Sequence, residues 1–454
     1  MMTTLRSLPS VEQLLQTHTA ADLMVRYGRP LTVEAIRFTL DDIRARFKSR
    51  QITALPLKDL ILAQTDSALA AWTSPSLINV INATGVILHT NLGRAPLSDT
   101  ALRAMENVAR GYSNLEFELE TGKRGSRLIH AESILKRLTG VEAALVVNNN
   151  ASAVLLLLSA MANKKRVIIS RSQLVEIGGG FRVPDVMRQS GAKLVEVGTT
   201  NKVRLSDYIE ALTDPTALVM HAHRSNFKIV GFTEEPELQK VVEKAHKAGV
   251  PVVDDLGSGA LYDTSKYGLA HEPTVQESLA AGVDLVCFSG DKLLGGPQVG
   301  IIVGKADLIE KLRKHPLARA VRADKTSLAG LSATLLHYLK DEAERKIPII
   351  KMMSLALNQI RTRAQTWENE IGVGEVVEGE STVGGGSLPG ESMPTFLLSL
   401  EVESAERFLK LLRRDHPPII ARTEKNRILL DPRTVLPEQD QALIAGVKKA
   451  WEKA

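Results

Sequence analysis

The chain has 454 residues, of which 44% are hydrophobic and 24% charged, and its formal net charge is +5 at pH 7. This composition is typical of an ordinary soluble protein, and the length predicts two or three domains because one core rarely grows so large. The small basic excess permits a nucleic-acid partner without requiring one, and the single cysteine, Cys287, excludes an intrachain disulfide.

Neither a secretion signal nor a membrane helix is apparent in the sequence. The amino terminus lacks a basic region followed by an apolar stretch. The mostly apolar run at 153–161 is far shorter than the roughly 20 residues that a membrane helix needs, and it is typical of a buried helix. No cysteine–histidine cluster with metal-ligand spacing appears. We therefore expect a cytoplasmic protein without a metal site or a membrane partner.

Residues 1–75 are predicted to form a separate helical module. Ser10 precedes a run with an acid in its first turn, which is typical of a helix start. A second helix is predicted over residues 32–47, where apolar side chains recur at helical spacing. The end of that helix carries four basic residues, Arg44, Arg46, Lys48 and Arg50. Two interpretations stay open: a solvated helix end favoured by the helix dipole, or a surface that contacts RNA phosphates.

Residues 76–325 alternate strand-like and helix-like stretches, which predicts an α/β sheet with crossover helices. A buried-type strand at 143–147 runs into small polar residues and then a helix. Backbone N–H groups at such a helix start suit a phosphate, so Asn150, Ala151 and Ser152 form a candidate phosphate cradle. An ordinary helix cap explains the same residues equally well.

Two histidines on the next strand-like stretch, His221 and His223, are two residues apart and would share one face of a strand. That spacing would permit a common metal ion. No third ligand is evident nearby, so two histidines with separate hydrogen-bond partners are the preferred interpretation.

A strand-end acid and a later lysine follow in the order that pyridoxal phosphate (PLP) chemistry requires. The strand at 249–259 ends in Asp254 and Asp255 before a glycine-rich turn. Lys292 follows a short apolar run at 284–288 and precedes two glycines and a proline. Burial would keep this amine neutral enough to form a Schiff base with PLP, and a carboxylate would keep the ring nitrogen protonated. Asp255 is the first choice for that carboxylate and Asp254 the second.

Residues 326–454 are predicted to form a small α+β domain. The first part of this region has a helix-like pattern that ends in an amphipathic stretch near 355–371. Strand-like runs follow at 395–400, 419–422 and 427–431. Just before this domain, Arg319 and Arg322 are spaced to project from one helix face. Either they lie on a solvated helix face or they bind a phosphate together.

The wording of several motifs resembles the bacterial selenocysteine synthase family, the L-seryl-tRNA(Sec) selenium transferases. The most specific motif is Ser-Gly-Asp-Lys-Leu-Leu-Gly-Gly-Pro-Gln at 289–298. The likeness covers nearly the whole chain and also rests on residues 80–97, 120–127, 183–189, 255–259 and 384–391.

This resemblance implies the PLP-dependent aminotransferase-like fold (fold type I) and a PLP-dependent reaction on an aminoacyl-tRNA. The reaction would remove the hydroxyl of serine on seryl-tRNA(Sec) and add selenium from selenophosphate to the aminoacrylyl-tRNA intermediate. The helical module would recognise the tRNA, and the chain would form a homo-oligomer, a large ring in this family. By motif match, Arg94, Arg319 and Arg322 look like ligands of the donor's phosphate. Arg127 and Asp291 similarly look like substrate-handling residues.

The chain also departs from the family wording near one turn. Ser172 and Gln173 stand where the family has glycine and glutamate, Gly180 stands where it has alanine, and Arg224 stands where it has threonine. The turn that contains Gln173 is expected to lie over the cofactor ring. Asn226, two residues after Arg224, is either a donor to the cofactor's phenolate oxygen or an ordinary turn residue.

Two rival functions are weighed against the transferase. Relatives of this fold act as lyases on small amino-sugar phosphates, but they would not need the basic helical module. A tRNA-binding protein without catalysis would not need Lys292 and Asp255.

Overall fold

A computed structural model of the chain describes residues 5–177 and 180–454. Its contacts separate into two compact units, one that ends at Asn79 and one that begins at Val80. The boundary that the sequence predicts near residue 325 stays a prediction. Within the described ranges, no helix has both the length and the apolar character needed to cross a bilayer.

In its described residues, the first unit contains four α-helices around a small apolar core. Ser10 begins the first helix through a capping box, in which its hydroxyl accepts from the Gln13 backbone N–H at 3.2 Å and its own N–H donates to the Gln13 side chain at 3.0 Å. The predicted second helix is present and longer than expected, with Ile36, Leu40 and Ile43 buried. The helices are α1 Val11–Leu15, α2 His18–Tyr27, α3 Arg29–Lys48 and α4 Lys58–Thr73.

The second unit contains fifteen described α-helices, most of which cover its sheets. They are α5 Asp99–Ala109, α6 Ile129–Thr139, α7 Asn150–Ala162, α8 Val183–Gln189, α9 Leu205–Ala211, α10 Leu238–Lys247, α11 Val275–Ala280, α12 Ala306–Lys314, α13 Leu317–Ala320, α14 Lys325–Leu339, α15 Ala343–Lys346, α16 Pro348–Ser354, α17 Leu357–Ile371, α18 Ala405–Arg413 and α19 Asp440–Trp451. Short 3₁₀ helices lie at Leu5–Ser7, Thr90–Leu92, Arg171–Gln173, Thr264–Tyr267 and Pro437–Gln439.

The strands of the second unit range from two to ten residues. They are β1 Ile81–Asn82, β2 Phe117–Glu118, β3 Lys123–Arg124, β4 Ala143–Val147, β5 Arg166–Ser170, β6 Glu176–Ile177, β7 Phe181–Arg182, β8 Lys193–Val197, β9 Leu218–Ala222, β10 Val252–Gly257, β11 Leu285–Ser289, β12 Gly300–Gly304, β13 Glu375–Thr382, β14 Ser392–Glu401, β15 Ile419–Ile420, β16 Arg422–Glu424 and β17 Arg427–Leu430.

A seven-stranded sheet with the order β4-β12-β11-β10-β9-β5-β8 forms the centre of this unit. Its strands are parallel except β12, which is antiparallel to both of its neighbours. The strands β10, β11 and β12 are buried along their whole length, as expected for a sheet covered by helices on both faces. The parallel strands β9, β10 and β11 therefore bring the loops at their carboxyl ends to one edge of the sheet, where a ligand site is expected.

A four-stranded antiparallel sheet, in the order β13-β14-β17-β16, lies in the carboxyl-terminal part. The helix α17 and the strands predicted at 395–400 and 427–431 are present, the strands as β14 and β17. The run predicted as one strand at 419–422 is instead divided between β15 and β16, which belong to different sheets. The short strand β1 pairs in parallel with β15, so the beginning of this unit is joined to its carboxyl-terminal part. Cys287, on β11, is fully buried in the apolar core between the central sheet and α7.

Candidate functional site

Lys292 lies in the turn after β11, and only 4% of the residue is exposed. Burial lowers the pKa of its amine, and the nearby Arg94 guanidinium lowers it further, although Asp255 and Asp291 act in the opposite direction. A buried amine with a lowered pKa is uncharged more often than a surface lysine, so it is a better nucleophile toward an aldehyde.

Two glycines keep the space beside this amine open. A Cβ atom on Gly257 would lie 3.6 Å from the Lys292 Nζ atom, and a Cβ atom on Gly386 would lie 3.3 Å from it. Both glycines have positive φ angles, 62° and 80°, which other residues adopt only with strain. A larger side chain at either position would occupy the room that an incoming group needs.

Asp255, at the end of β10, is the acid that adjoins Lys292. One of its oxygens accepts a hydrogen bond from the Asn150 side-chain amide at 2.8 Å. Burial raises the pKa of this carboxyl, while the Asn150 hydrogen bond and the charge of Lys292 partly oppose that rise. A cation placed against Asp255 would complete the pairing that a buried carboxylate requires.

Asp254 has different partners. It accepts hydrogen bonds from the His221 ring at 2.7 Å and from the Ser278 hydroxyl at 2.5 Å. Burial alone would lower the pKa of His221, but the adjacent Asp254 carboxylate raises it overall. Asp254 is thus already paired inside the protein, which favours Asp255 as the acid available to a ligand.

The turn between β4 and α7 carries the predicted phosphate cradle. Asn149 caps α7, because its side-chain oxygen accepts the Ser152 backbone N–H at 2.8 Å. Asn150 directs its amide to Asp255, and Ala151 and Ser152 lie in the first turn of the helix. The helix cap that the sequence also suggested is therefore present. Phosphate binding by this turn stays a prediction.

The predicted arginines form two groups. Arg94 pairs with Asp291 at 2.7 Å, directly beside Lys292 in the chain. Arg127 and Arg322 share the carboxylate of Glu116, at 2.5 and 3.1 Å, and the pKa of Glu116 is lowered mainly by Arg127. Arg322 also bridges to the end of β4, which leads into the Asn149–Ser152 turn. Arg319 is exposed on α13. The expectation that Arg319 and Arg322 share one helix face is wrong, because α13 ends at Ala320, before Arg322.

Three residues that depart from the family wording belong to one hydrogen-bonded cluster around Glu235. Gln173 donates to Glu235 at 2.9 Å and accepts from the Ala222 backbone N–H at 3.2 Å. Arg224 donates to the second Glu235 oxygen at 2.6 Å and to the Ser172 hydroxyl at 3.3 Å. The departures are therefore not independent, because a neutral amide at 173 and a cation at 224 together satisfy one carboxylate.

Replacing Gln173 by glutamate should lower the free energy of unfolding by about 2 kcal/mol at neutral pH. The new carboxylate would lie next to that of Glu235, at a position where only 1% of residue 173 is exposed. The loss should shrink at lower pH, where one of the two carboxylates is protonated. Urea unfolding measures both effects. Gln441→Glu is the matched control, because Gln441 also donates to a glutamate, Glu370, but in an exposed position. Equal effects of the two substitutions would contradict a buried cluster.

The two histidines have separate partners and do not meet at a common ion. His221 contacts Asp254, and His223 lies 3.2 Å from the buried Glu272. Over residues 5–177 and 180–454, no group of three or more histidine, cysteine or acidic side chains could hold a metal.

Several residues near Lys292 are not predicted from the sequence. Ser225 is 3% exposed, and its hydroxyl lies 3.8 Å from the Cβ position of Gly386. Its neighbour Asn226 instead is exposed and donates to the Glu176 carbonyl at 2.6 Å. The cofactor role of Asn226 stays a prediction, and Ser225 is the buried residue of the same turn. Ser387 is also missed, although the Gly-Gly-Gly-Ser wording at 384–387 marks a turn that contains it.

The residues around Lys292 fit PLP. The buried amine has open space beside it, and a buried carboxylate adjoins it. Among the described residues, the buried side-chain oxygen atoms without a hydrogen-bond partner include Asn150 Oδ1, Ser258 Oγ, Glu272 Oε1 and Ser387 Oγ. Buried polar atoms without partners indicate a polar ligand, because leaving them unpaired is costly.

Comparisons with known proteins show the family to which the chain belongs. A family model described as L-seryl-tRNA selenium transferase matches residues 80–436, and one described as selenocysteine synthase N terminal matches residues 5–44. The chain is 46% identical to an L-seryl-tRNA(Sec) selenium transferase from Carboxydothermus hydrogenoformans, over 96% of this chain and 95% of the relative. It is 44% identical to one from Geobacter sulfurreducens, over 99% of both chains.

A solved structure, that of D-glucosaminate-6-phosphate ammonia-lyase, has a similar fold. It superposes with a TM-score of 0.59 at 19% identity, over 83% of this chain and 97% of the other. The expected fold, the fold type I architecture of PLP-dependent enzymes, is confirmed.

Proposed function

Because the chain belongs to the L-seryl-tRNA(Sec) selenium transferase family, we propose a role in that reaction for the residues around Lys292. The chain is a PLP-dependent transferase that converts seryl-tRNA(Sec) to selenocysteinyl-tRNA(Sec). The observation that carries the residue assignments is the proximity of a buried amine, Lys292, to a buried carboxylate, Asp255, which has no basic side chain as a hydrogen-bond partner among the described residues.

Lys292 and Asp255 are the residues that would hold the cofactor. When bound, PLP supplies a sink for the electron pair of the broken Cα–H bond. Lys292 would hold the cofactor through its amine, and the freed amine would accept the proton from the serine Cα. The lowered pKa of Lys292 favours this, since the amine must be uncharged to take a proton. Asp255 would keep a proton on the ring nitrogen, and its hydrogen bond from Asn150 would orient it. Ala151, Ser152, Asn226 and Gln173 remain proposed cofactor contacts.

The arginines are proposed to handle the selenium donor, selenophosphate. Arg94, Arg319 and Arg322 would bind its phosphate, because the guanidinium fork matches phosphate oxygens. Arg127 and Asp291 would position the substrate. The pairs Arg94–Asp291 and Arg322–Glu116 support this, since they hold two of the cations in fixed positions before a phosphate arrives.

Incubating the purified protein with seryl-tRNA(Sec) and selenophosphate tests the proposed function. We expect selenocysteine on the tRNA with the donor present. Ammonia release from a small amino-sugar phosphate, with seryl-tRNA(Sec) unchanged, would instead support the lyase. Family membership favours the transferase over that lyase and over a non-catalytic tRNA-binding protein.

The amino-terminal helices are proposed to recognise the tRNA. In support, α3 ends with three basic residues, and Arg50 follows two residues after its end. Two of these residues have acidic partners on the same helix: Arg44 pairs with Asp41, and Arg46 with Asp42. Lys48 and Arg50 are exposed. These two residues are therefore the better candidates for phosphate contacts.

Replacing Lys48 and Arg50 together by alanine should reduce the salt dependence of tRNA binding by up to about one unit of log–log slope per lost phosphate contact. Replacing Arg44 and Arg46 should have a smaller effect, because their charges are already partly balanced. Binding titrations over a range of salt concentrations measure the slopes, with the exposed pair Lys240 and Lys247 of α10 as the control. If all three double variants keep the wild-type slope, the tRNA contacts lie elsewhere.

We also propose that the chain works in the cytoplasm as a homo-oligomer, as the family resemblance implies. Large exposed apolar side chains support a further interface, among them Tyr112, Leu119, Val230 and Phe232. Light scattering of the purified protein measures its mass in solution.

A further inference from the structure

One carboxylate, that of Glu116, joins two arginines of the candidate site. Its Oε1 atom accepts hydrogen bonds from the Nε and Nη2 atoms of Arg127, at 2.8 and 2.5 Å, and from the Nη1 atom of Arg322 at 3.1 Å. Its second oxygen accepts from Arg124, whose side chain is 77% exposed. Two cations that share one oxygen atom repel each other, and the negative charge of Glu116 offsets that repulsion.

These contacts form a closed ring. The Nη1 atom of Arg127 donates to the backbone carbonyl of Ala323 at 3.0 Å, and Ala323 directly follows Arg322 in the chain. Arg127 therefore fixes Glu116 relative to the backbone next to Arg322, and Glu116 in turn holds the side chain of Arg322. Hydrogen bonds that are linked in this way restrain a group more than one isolated pair does.

The backbone of Arg322 is attached to the central sheet. Arg322 forms an antiparallel bridge with Val147, the last residue of β4, and the Val321 carbonyl accepts the Asn148 N–H at 2.9 Å. Asn148 comes directly before the turn that carries the predicted phosphate cradle. The side chain of Arg322 thus starts from a fixed point, and its direction depends on the contact with Glu116.

Arg322 keeps one edge of its guanidinium group for a ligand. The contact with Glu116 uses the Nη1 atom, and the Nε and Nη2 atoms form no hydrogen bond with the residues that the structure describes. Those two atoms form the fork that matches two oxygens of a phosphate. A fork whose direction is fixed in advance loses less entropy when the phosphate binds.

We propose that Glu116 is a positioning residue that acts through Arg322, because it holds the free edge of Arg322 in the direction that binds the phosphate of the selenium donor. This inference rests on the proposed function, in which Arg322 binds that phosphate. A role of charge alone predicts the opposite result. Removing a negative charge beside an anion site would then tighten anion binding, whereas losing the residue that orients Arg322 weakens it.

Calorimetric titration of the cofactor-loaded protein with inorganic phosphate tests the inference without tRNA or selenium donor. Loading with PLP first fills the site of the cofactor's own phosphate. Glu116→Ala should weaken phosphate binding by about tenfold and Glu116→Gln by about threefold, because a glutamine oxygen still accepts from arginine but without the charge. Arg322→Ala should weaken it at least as much as Glu116→Ala does. Tighter binding in the Glu116 variants, or unchanged binding in Arg322→Ala, would show that the inference is wrong.

Donor kinetics separate positioning from a general loss of structure. In Glu116→Ala the KM for selenophosphate should rise by about tenfold, with kcat at saturating donor within about twofold of the wild-type value. Glu116→Gln keeps the shape of the side chain, so the comparison holds even if Glu116→Ala destabilises the fold. A fall in kcat at unchanged KM in both variants would contradict positioning of the phosphate.

Glu106→Ala is the matched control. Glu106 also accepts from the Nε and Nη2 atoms of an arginine, Arg110, but the pair is exposed on α5 and at its end. This variant should change neither the phosphate affinity nor the KM for the donor. A wild-type protein that makes no selenocysteinyl-tRNA would overturn the proposed function, and the order of the phosphate affinities would still decide the role of Glu116.

Discussion

Replacing Lys292 by alanine should lower the rate of selenium transfer to seryl-tRNA(Sec) by about four orders of magnitude or more, because one side chain both holds the cofactor and takes the Cα proton. Identifying the amino acid on the tRNA over time measures the rate. Lys305→Ala is the control, since Lys305 follows β12 of the same sheet but is half exposed and pairs with Asp284.

Two further measurements separate chemistry from folding in this variant. Borohydride reduction of the wild type should attach the pyridoxyl mass to the peptide that contains Lys292, and a label on another lysine would exclude the assignment. Burial lowers the pKa of Lys292, so its charged form destabilises the folded state at every pH below the folded pKa. The cofactor-free Lys292→Ala protein should therefore melt no lower than the wild type at neutral pH.

Replacing Asp255 by alanine should slow loss of the Cα proton by about 10²- to 10⁴-fold while leaving the cofactor attached to Lys292. The reason is that the ring nitrogen loses the group that keeps it protonated. Exchange of the serine Cα hydrogen with deuterated water measures the step, and the absorbance of the bound cofactor reports its attachment.

The adjacent acid gives the matched comparison. Asp254→Ala removes the partner of His221 and Ser278, so it should lower the free energy of unfolding by about 3 kcal/mol. The folded variant should still exchange the serine Cα hydrogen at nearly the wild-type rate. A fully active Asp255→Ala protein beside an inactive but folded Asp254→Ala protein would reverse the assignment of the two acids.

Local sequence is enough to predict the elements around Lys292. Short apolar runs that end in glycine or polar residues mark β4, β10 and β11, and each is present at the predicted place. Such runs are informative because a buried strand needs only a few apolar residues and a turn. The fold follows from their alternation with helices.

Contacts between distant segments could not be predicted in this way. Asn150 has the local pattern of a helix start, yet its amide contacts Asp255 on another strand. Glu116 joins Arg127 to Arg322, although nothing near Glu116 in the sequence distinguishes it from a surface acid. Gly386 reaches Lys292 only through the path of the segment after β13. These pairings depend on the folded chain, which periodicity and turn residues do not encode.

The burial of Cys287 keeps the thiol of this chain from reacting with the substrate in place of selenium. Its thiol lies on β11, five positions before Lys292 in the chain, but it faces the apolar core. Burial raises the pKa of the thiol well above its usual value, and the negative charges of Asp255 and Asp254 raise it further. Because the thiolate is the nucleophilic form, the single cysteine of the enzyme stays protonated and unreactive at physiological pH. A dehydrated serine bound beside Lys292 thus meets no sulfur nucleophile from its own polypeptide, and the position that selenium must fill is not lost to self-alkylation.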